Sequence, residues 1–313
     1  MNALDKIVEM FPGRLDKIDL SAYRDDTYQP RVKCATEYGD ALKKRLTQPT
    51  IWGAKSGFLC DSYFRFRPRE MTIWTGYKGH GKSAVLSQVL LKFMQSGQKV
   101  FVCSPEFHPV ELMYRFLVQC LGCSTPSEEE ADVLLEFFTD TLWVYDVQAS
   151  LKPNDVAPLC RWVCENIKPD HIVIDSLMKC GISPDDYSAQ KTLVDQVQSV
   201  AHNNPVHIHL VAHARKGHSD ESPARLHDIK GASEIADMAE NVISIWRNKP
   251  KEKIRDGSKD IEPDAMFIVE AQRNCGGEIG VNPLWFKRDA MIYFEPHKDW
   301  RDYVSIGRTE VAI

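Results

Sequence analysis

Long apolar segments are missing from this sequence. No stretch of its 313 residues approaches the roughly 20 consecutive apolar residues that a membrane-spanning helix needs. The first 13 residues mix acidic and basic side chains and lack the apolar centre of a signal peptide. These absences predict a soluble protein of the cytoplasm.

An excess of basic residues is missing as well. The chain has 39 Lys and Arg against 44 Asp and Glu, and its formal net charge is −5. This balance argues against a surface covered with positive charge for nucleic acid. It leaves room for a local basic channel, because a polyanion responds to the nearby field rather than to the total charge.

The nine cysteines lack the pattern of a secreted disulfide framework. Their number is odd and they are scattered, which predicts reduced thiols. Cys120 with Cys123, and Cys160 with Cys164, raise zinc binding as an alternative. Cys160 and Cys164 lie in an apolar helical pattern and Cys120 ends another, so packing in the core is the favoured interpretation.

A phosphate-binding loop is clearly present. Residues 76–83 read GYKGHGKS, which is a glycine, four free positions and then Gly-Lys-Ser. A strand-like run precedes the loop and a helix-like run follows it, which is the context that the motif requires. Backbone N–H groups, the start of the helix and the charge of Lys82 would surround a polyphosphate, and Ser83 would hold Mg²⁺. The alternative is a glycine-rich turn without a ligand, which would not need the Lys-Ser pair. We predict that the nucleotide is bound by Gly76, Lys78, Gly79, His80, Gly81, Lys82 and Ser83.

Short apolar runs alternate with helical patterns along most of the chain, which is typical of parallel strands joined by crossover helices. The predicted fold class is therefore α/β, with a mainly parallel twisted sheet flanked by helices. Strands are expected at 71–75, 99–104, 141–146, 171–175, 207–212, 242–246, 266–271, 284–286 and 292–294. Helices are expected at 36–48, 82–95, 109–121, 155–167, 187–203 and 232–239.

Two carboxylates follow predicted strands and would meet at one edge of the sheet. Asp175 ends an apolar strand, as the Mg²⁺-organising acid of phosphate-loop enzymes does. Ser176 comes next and is not an acid, so the water-positioning carboxylate must come from elsewhere. Glu106 is the candidate, and the alternative for it is an acid that stabilises a helix start.

Three further features lie downstream. His213 follows the strand at 207–212, where it could sense the γ-phosphate. A metal site with His207 and His209 is the alternative, but no carboxylate or cysteine completes a ligand set. The polar segment 216–230 carries basic residues that could grip a phosphodiester backbone. Arg273 lies at a strand end, before a glycine-rich turn, and is either an arginine finger for a neighbouring subunit or an ordinary surface residue.

In this order, the motifs resemble the hexameric replicative DNA helicases with a RecA-like core, such as bacterial DnaB, the phage helicase–primases and Twinkle. The resemblance runs from about residue 52 to 294. The segments that carry it are Ser104-Pro105-Glu106-Phe107, Asp175-Ser176, His213, the run 226–232 with Lys230, and Gln272-Arg273-Asn274. Arg247 and Phe286 resemble the phage-type pair that sandwiches the nucleotide base.

The resemblance implies a ring-shaped, ATP-dependent helicase that moves 5′ to 3′ on single-stranded DNA. Its catalytic residues would be Lys82, Glu106, Asp175, His213 and Arg273, with ATP or another nucleoside triphosphate and Mg²⁺ as cofactors. Its DNA-binding residues would be Lys216, Arg225, Lys230 and Gly231. A homohexamer, a primase, polymerase or loader as partner, and the cytoplasm of a bacterial or phage-infected cell rather than a mitochondrion are the corresponding expectations.

The resemblance also predicts the domain organisation. Residues 1–50 would be an arm with a linker helix that docks on the next subunit, 51–296 the ATPase domain, and 297–313 a tail, with no primase domain. One position departs from the family: Ala271 stands where a lysine usually contacts the neighbour's γ-phosphate, so hydrolysis would be slower, differently coupled, or helped by a group such as Gln272. A recombinase-like filament protein and a catalytically weak adaptor remain the alternatives.

Overall fold

A nine-stranded sheet organises the part of the chain that the structure describes. The computed structural model describes residues 21–23, 33–147, 149–183, 185–214, 221–223, 233–253 and 262–304. The strands are β1 (Met71–Thr75), β2 (Val100–Cys103), β3 (Leu142–Val144), β4 (His171–Asp175), β5 (His207–Val211), β6 (Asn241–Arg247), β7 (Ala265–Gln272), β8 (Gly280–Lys287) and β9 (Ile292–Phe294). Its α-helices are α1 (Gly39–Thr47), α2 (Lys82–Gln95), α3 (Pro109–Leu121), α4 (Glu128–Phe138), α5 (Pro153–Asn166), α6 (Tyr187–Asn203), α7 (Ser233–Met238) and α8 (Lys249–Lys253).

The strand order is β3-β2-β4-β5-β1-β6-β7-β8-β9. The first six strands are parallel and the last three pair antiparallel. This topology confirms the predicted α/β class with a mainly parallel sheet. Since β1 lies between β5 and β6, its carboxyl end stands in the middle of the edge where ligands bind in such sheets.

Alternation along the buried strands divides the core into two layers. Trp74 and Val173 face the layer of α2, α3 and α4, whereas Ile73, Ile172 and Ile174 face the layer of α5, α6 and α7. Strands covered on both faces read as continuous apolar runs, which is why the central strands were legible in the sequence.

Helix α4 was not predicted. Its acidic start hides the pattern, since Glu128, Glu129 and Glu130 make the segment read as a polar linker. A capping box is nevertheless present: the Ser127 hydroxyl accepts from the Glu130 N–H, and the Glu130 carboxylate accepts from the Ser127 N–H. Leu134 and Phe138 then bury the inner face of the helix.

Helix α1 stands on the surface. Tyr38, Leu42 and Leu46 are spaced four residues apart and are 55%, 60% and 76% exposed. No residue of the helix is buried. A helix of nine residues is marginal on its own in water, so this one lacks the packing that usually stabilises such a short element.

The segments before β1 and after β9 both pack on the core. Phe58, Phe64 and Phe66 are buried beneath α2. Tyr303 lies with its ring centroid 5.7 Å from that of Phe58, and its hydroxyl donates to Glu295 over 2.8 Å. Across the described part of the chain, no helix has the length and apolar character needed to cross a membrane.

Candidate active site

The loop after β1 has a backbone that only glycine fits at two positions. Gly76 has a φ of 138°, and a Cβ there would collide with the carbonyl of Ile245 on β6. Gly81 has a φ of 86°, and a Cβ there would collide with the hydroxyl of Tyr293 on β9. The loop therefore takes its shape from the left-handed region and from the close approach of two neighbouring strands.

Lys82 begins α2 and is buried beneath this loop. Its Nζ donates to the carbonyl oxygens of Gly76 at 2.8 Å and Tyr77 at 3.0 Å. Burial lowers the pKa of Lys82 to about 8, and the nearby carboxylates of Asp175 and Glu106 oppose the shift. An ammonium group in such a dry position interacts strongly with added negative charge.

Ser83 and Asp175 meet at the end of β4. The Ser83 hydroxyl donates to Oδ2 of Asp175 over 2.8 Å. This hydrogen bond joins the start of α2 to β4, which lies two strands from β1 in the sheet. Burial raises the pKa of Asp175, while the hydrogen bond from Ser83 opposes that shift. A hydroxyl beside a carboxylate is the oxygen donor set that Mg²⁺ prefers near a phosphate, so these two residues would hold the ion.

Glu106 lies just past β2 and contacts residues from two other strand ends. The Ser176 hydroxyl donates to its Oε1 over 2.7 Å, and Nε2 of His213 lies 3.6 Å from the same oxygen. His213 and Ser176 lower the pKa of Glu106 to about 2, although burial opposes them. The carboxylate is thus ionised at neutral pH and can orient a water molecule by accepting its hydrogen bond.

Three buried polar atoms along this edge lack a hydrogen-bond partner among the described residues. They are Oγ1 of Thr75 at the end of β1, Oγ of Ser104 after β2, and Nδ1 of His213 after β5. Buried polar groups are normally satisfied, so unpaired ones deserve an explanation. Their clustering where parallel strands end fits a crevice that takes a polar ligand such as a triphosphate with its metal and water.

The proposed base-binding residues both lie beside the loop. Arg247 ends β6, its Nη1 is 3.5 Å from the carbonyl of Gly79, and its backbone N–H donates to Nδ1 of His80 over 3.1 Å. Phe286 on β8 has its ring 4.6 Å from that of Tyr293. Lys78 is exposed at the tip of the loop. Every residue of the predicted nucleotide site therefore lies at or near one edge of the sheet.

Arg273 lies at the opposite edge. Its N–H donates to the carbonyl of Glu240 over 2.9 Å, and the Glu240 carboxylate accepts from the N–H of Met71 at the beginning of β1. The whole of β1 separates this point from the phosphate loop, roughly 15 Å at about 3.3 Å per residue. An arginine side chain does not cover that distance along the sheet, so Arg273 is out of reach of its own subunit's loop.

The four predicted DNA-binding residues, Lys216, Arg225, Lys230 and Gly231, lie outside the described residues. The structure does place the ends of their segment. Ala214 precedes it, after β5 and the Glu106 contact of His213, and α7 follows it.

Comparisons with known proteins bear on this architecture. Residues 65–219 match the AAA domain family AAA_25, a span that includes the loop, Glu106, Asp175 and His213. A Twinkle homologue of chloroplasts and mitochondria from Arabidopsis thaliana is 24% identical over 267 residues, covering 77% of this chain and 36% of the relative. The chain is thus similar to an AAA domain over residues 65–219 and to a Twinkle homologue over most of its length.

Solved structures agree with these similarities at the level of the fold. A DnaB-like replicative helicase, solved with attention to its interactions with primase, superposes with a TM-score of 0.69 at 15% identity, over 83% of this chain and 68% of that chain. A second solved structure, of an ATPase domain on its own, gives a TM-score of 0.69 at 15% identity, over 85% of this chain and 99% of that one. The present chain thus spans about a third of the length of its Twinkle relative but nearly all of that ATPase domain.

Sequence reasoning missed three residues of the candidate site. Ser176 was noted for not being an acid and as part of the Asp175-Ser176 segment, but the hydrogen bond that its hydroxyl donates to Glu106 was not predicted. Tyr293 packs against Gly81 and has its pKa raised to about 12, chiefly by burial. Arg115 on α3 lies over the ring of Phe107 at 4.4 Å and lines a small cavity with Ser83 and Asp175. Only Arg115 gave a signal: a charged residue in the middle of a largely apolar helical pattern.

Proposed function

We propose that this chain is the motor of a ring-shaped replicative DNA helicase, which moves 5′ to 3′ along single-stranded DNA by hydrolysing ATP between subunits. The observation that carries the proposal is the split of the predicted catalytic residues between two edges of one sheet. Lys82, Glu106 and Asp175 are together, while Arg273 faces away from them. A site that needs all four is completed only by a second copy of the chain.

The chemistry proposed for the near edge is positioning and charge stabilisation. Lys82 would bind the β- and γ-phosphates, and Ser83 and Asp175 would hold Mg²⁺, which neutralises charge on the phosphates when bound. Glu106 would orient the attacking water. His213, 3.6 Å from Glu106, would register the loss of the γ-phosphate and pass it to the segment that follows β5.

Arg273 of a neighbouring subunit would contribute charge to the phosphoryl group as it is transferred. We expect Arg273→Ala protein and Glu106→Ala protein each to hydrolyse ATP at least about 100-fold more slowly than the wild type. An equal mixture would restore activity, because half of the subunits supply an intact Glu106 and half of their neighbours an intact Arg273. Roughly a quarter of the interfaces would then be complete.

The measurement is steady-state ATPase activity of mixtures that have been allowed to exchange subunits. Protein that carries both substitutions in every subunit serves as the control and should stay inactive. Absence of any recovery in mixtures that assemble normally would mean that each site is self-contained.

DNA binding is proposed for Lys216, Arg225, Lys230 and Gly231, on the basis of the sequence alone. Lys230→Ala should weaken binding of a single-stranded oligonucleotide about tenfold at moderate salt and reduce its salt dependence, while DNA-free ATPase activity stays near the wild-type rate. Fluorescence anisotropy at several salt concentrations measures both effects, with Lys298→Ala as a control on the remote segment after β9. Unchanged DNA affinity and unchanged stimulation by DNA would refute the assignment.

Assembly is proposed to use α1. Leu42 and Leu46 of α1 form an exposed row with Tyr38, which directly precedes the helix, and burial of this row on an adjacent subunit would stabilise a helix too short to be stable alone. A hexamer, and a primase, polymerase or loader as further partners, are proposed from the resemblance to DnaB-type helicases.

The catalytically weak adaptor has one observation in its favour. Ala271 places no cation two residues before Arg273, and Gln272 does not replace it, because its side chain is buried and its amide donates to the carbonyl of Tyr63 over 3.2 Å. A DNA-stimulated ATPase assay separates the two functions, since an adaptor would bind nucleotide without turnover.

A further inference from the structure

The guanidinium of Arg273 is engaged within its own subunit although it is exposed. Its Nη2 donates to the carbonyl of Asp237 on α7, and its Nη1 lies 3.8 Å from Oε1 of Glu240. The side chain is 55% exposed, whereas that of Glu240 is 8% exposed. An exposed guanidinium therefore lies beside a buried carboxylate.

Glu240 is fixed because several groups bind its carboxylate. Oε2 accepts from the N–H of Met71 over 2.9 Å, and Oε1 accepts from the amide of Gln198 over 2.9 Å. Nε2 of His202 lies 3.1 Å from Oε1. These partners come from β1 and α6, so the carboxylate keeps its place whether or not Arg273 is near it.

We propose that Glu240 is a positioning residue that retains Arg273 on its own subunit until a neighbour's bound triphosphate competes for the guanidinium. The inference rests on the proposed function, in which Arg273 acts on the adjacent site. It adds a step to that function, because each Arg273 side chain must leave Glu240 before it can reach the triphosphate of the neighbouring subunit. Partly exposed ion pairs are weak, so the retention delays the finger without blocking it.

The second contact of Arg273 connects this retention to DNA. Asp237 belongs to α7, which directly follows the segment predicted to bind single-stranded DNA. Gln198 links the same region, because its amide donates both to the carbonyl of Met238 at the end of α7 and to Glu240. A shift of α7 caused by bound DNA would therefore move a carbonyl that holds Arg273. Arg273 would then leave its own subunit more easily when DNA is bound. Because Arg273 acts on the neighbouring nucleotide, DNA would stimulate the ATPase.

The test is steady-state ATPase activity of Glu240→Gln protein, with and without a single-stranded oligonucleotide. Glutamine keeps the size of the side chain and removes its charge. We expect the DNA-free rate to rise about fivefold, equivalent to about 1 kcal/mol at 1.36 kcal/mol per tenfold, and the DNA-stimulated rate to stay the same. The ratio of the two rates should fall by the same factor. In the Arg273→Ala background, the substitution should change neither rate.

His202→Ala is the matched control, since it removes another partner of Glu240 without touching Arg273, and both rates should match the wild type. If Glu240→Gln protein folds poorly, Glu240→Asp replaces it: this variant keeps the charge near Met71 but draws the carboxylate away from Arg273, and should give a smaller rise. A folded Glu240→Gln protein with an unchanged or lower DNA-free rate overturns the retention, as does an equal rise in the Arg273→Ala background.

Failure of the proposed function gives a different result. There, wild-type protein would show no stimulation by DNA and Arg273→Ala would be fully active, and the retention would fall with it. If the wild type is stimulated and Arg273→Ala is inactive, while Glu240→Gln behaves as the wild type, only the retention is wrong.

Discussion

Lys82→Ala protein is expected to hydrolyse ATP at least about 100-fold more slowly than the wild type, with affinity for the triphosphate reduced as well. The physical reason is the position of the ammonium group. It is buried at the start of α2, beneath the carbonyls of Gly76 and Tyr77, and close to Asp175 and Glu106. Charge in such a dry site stabilises a transferring phosphoryl group far more than charge in water does.

The measurement is the ATPase rate at saturating nucleotide, together with direct titration of a fluorescent ATP analogue. Lys92→Ala is a suitable control, because Lys92 lies on the same helix with an exposed side chain. Wild-type turnover by a folded Lys82→Ala protein would remove the phosphate loop from the mechanism and contradict the proposed function directly.

Three buried histidines form a network at the other end of the central strands. The indole N–H of Trp74 donates to Nδ1 of His209 over 3.1 Å, so the proton of that imidazole is on Nε2. This proton points to Nδ1 of His171 at 3.1 Å, whose own proton on Nε2 faces the amide oxygen of Gln98 at 3.4 Å. The rings of His209 and His171 are therefore both neutral, with one nitrogen of each ring donating and the other accepting.

His207 is neutral because it is buried. Its Nδ1 donates to the carbonyl of Arg67 over 2.6 Å, and its Nε2 forms a hydrogen bond with the Thr72 hydroxyl over 2.8 Å. Burial lowers the pKa of His207 to about 4, and the carboxylates of Glu70 and Glu240 only partly oppose this. Burial also lowers the pKa of His171 and His209 well below the usual value.

The protein is accordingly expected to lose stability as pH falls from about 6.5 towards 4. A lowered pKa in the folded state means that the unfolded chain binds protons first, so the contribution to stability is complete above pH 6.5 and is lost below it. The shift of His207 alone, from 6.5 to about 4, is worth roughly 3 kcal/mol. His171 and His209 act in the same direction.

Urea unfolding at pH 7.5, 6.0 and 5.0 measures this loss as a fall in the free energy of unfolding. His207→Asn should reduce the pH dependence by about one proton. An unfolding free energy that stays constant from pH 7.5 to 5.0 would show that these imidazoles are not held neutral.

Predictions from short linear patterns succeeded where one face of an element is buried throughout. β1, β4, α2, α3 and α6 have the predicted boundaries, because their apolar spacing repeats without interruption. β8 was predicted only at 284–286 but begins at Gly280, since its first residues pair with β7, and no local pattern announces that pairing. Helix α8, in the charged segment after β6, was not among the predicted helices.

Functional contacts between distant residues were beyond the reach of the sequence. Sequence motifs identified Ser83 and Asp175. The hydrogen bond from the Ser176 hydroxyl to Glu106 depends on the register of β2 and β4, which the sequence does not reveal. The role proposed for Glu240 depends on Met71, Gln198 and Arg273, which come from three elements. Local sequence carries no information about such pairings.

By itself, the sequence determined the phosphate loop, the acidic strand ends and the alternation of strands and helices, because each is encoded within a few adjacent residues. The tertiary structure alone decided which of these residues meet. Parallel register brings the ends of β1, β2, β4 and β5 to one edge. The antiparallel return of β7 carries Arg273 to the other edge, since a strand running backwards ends where its neighbours begin.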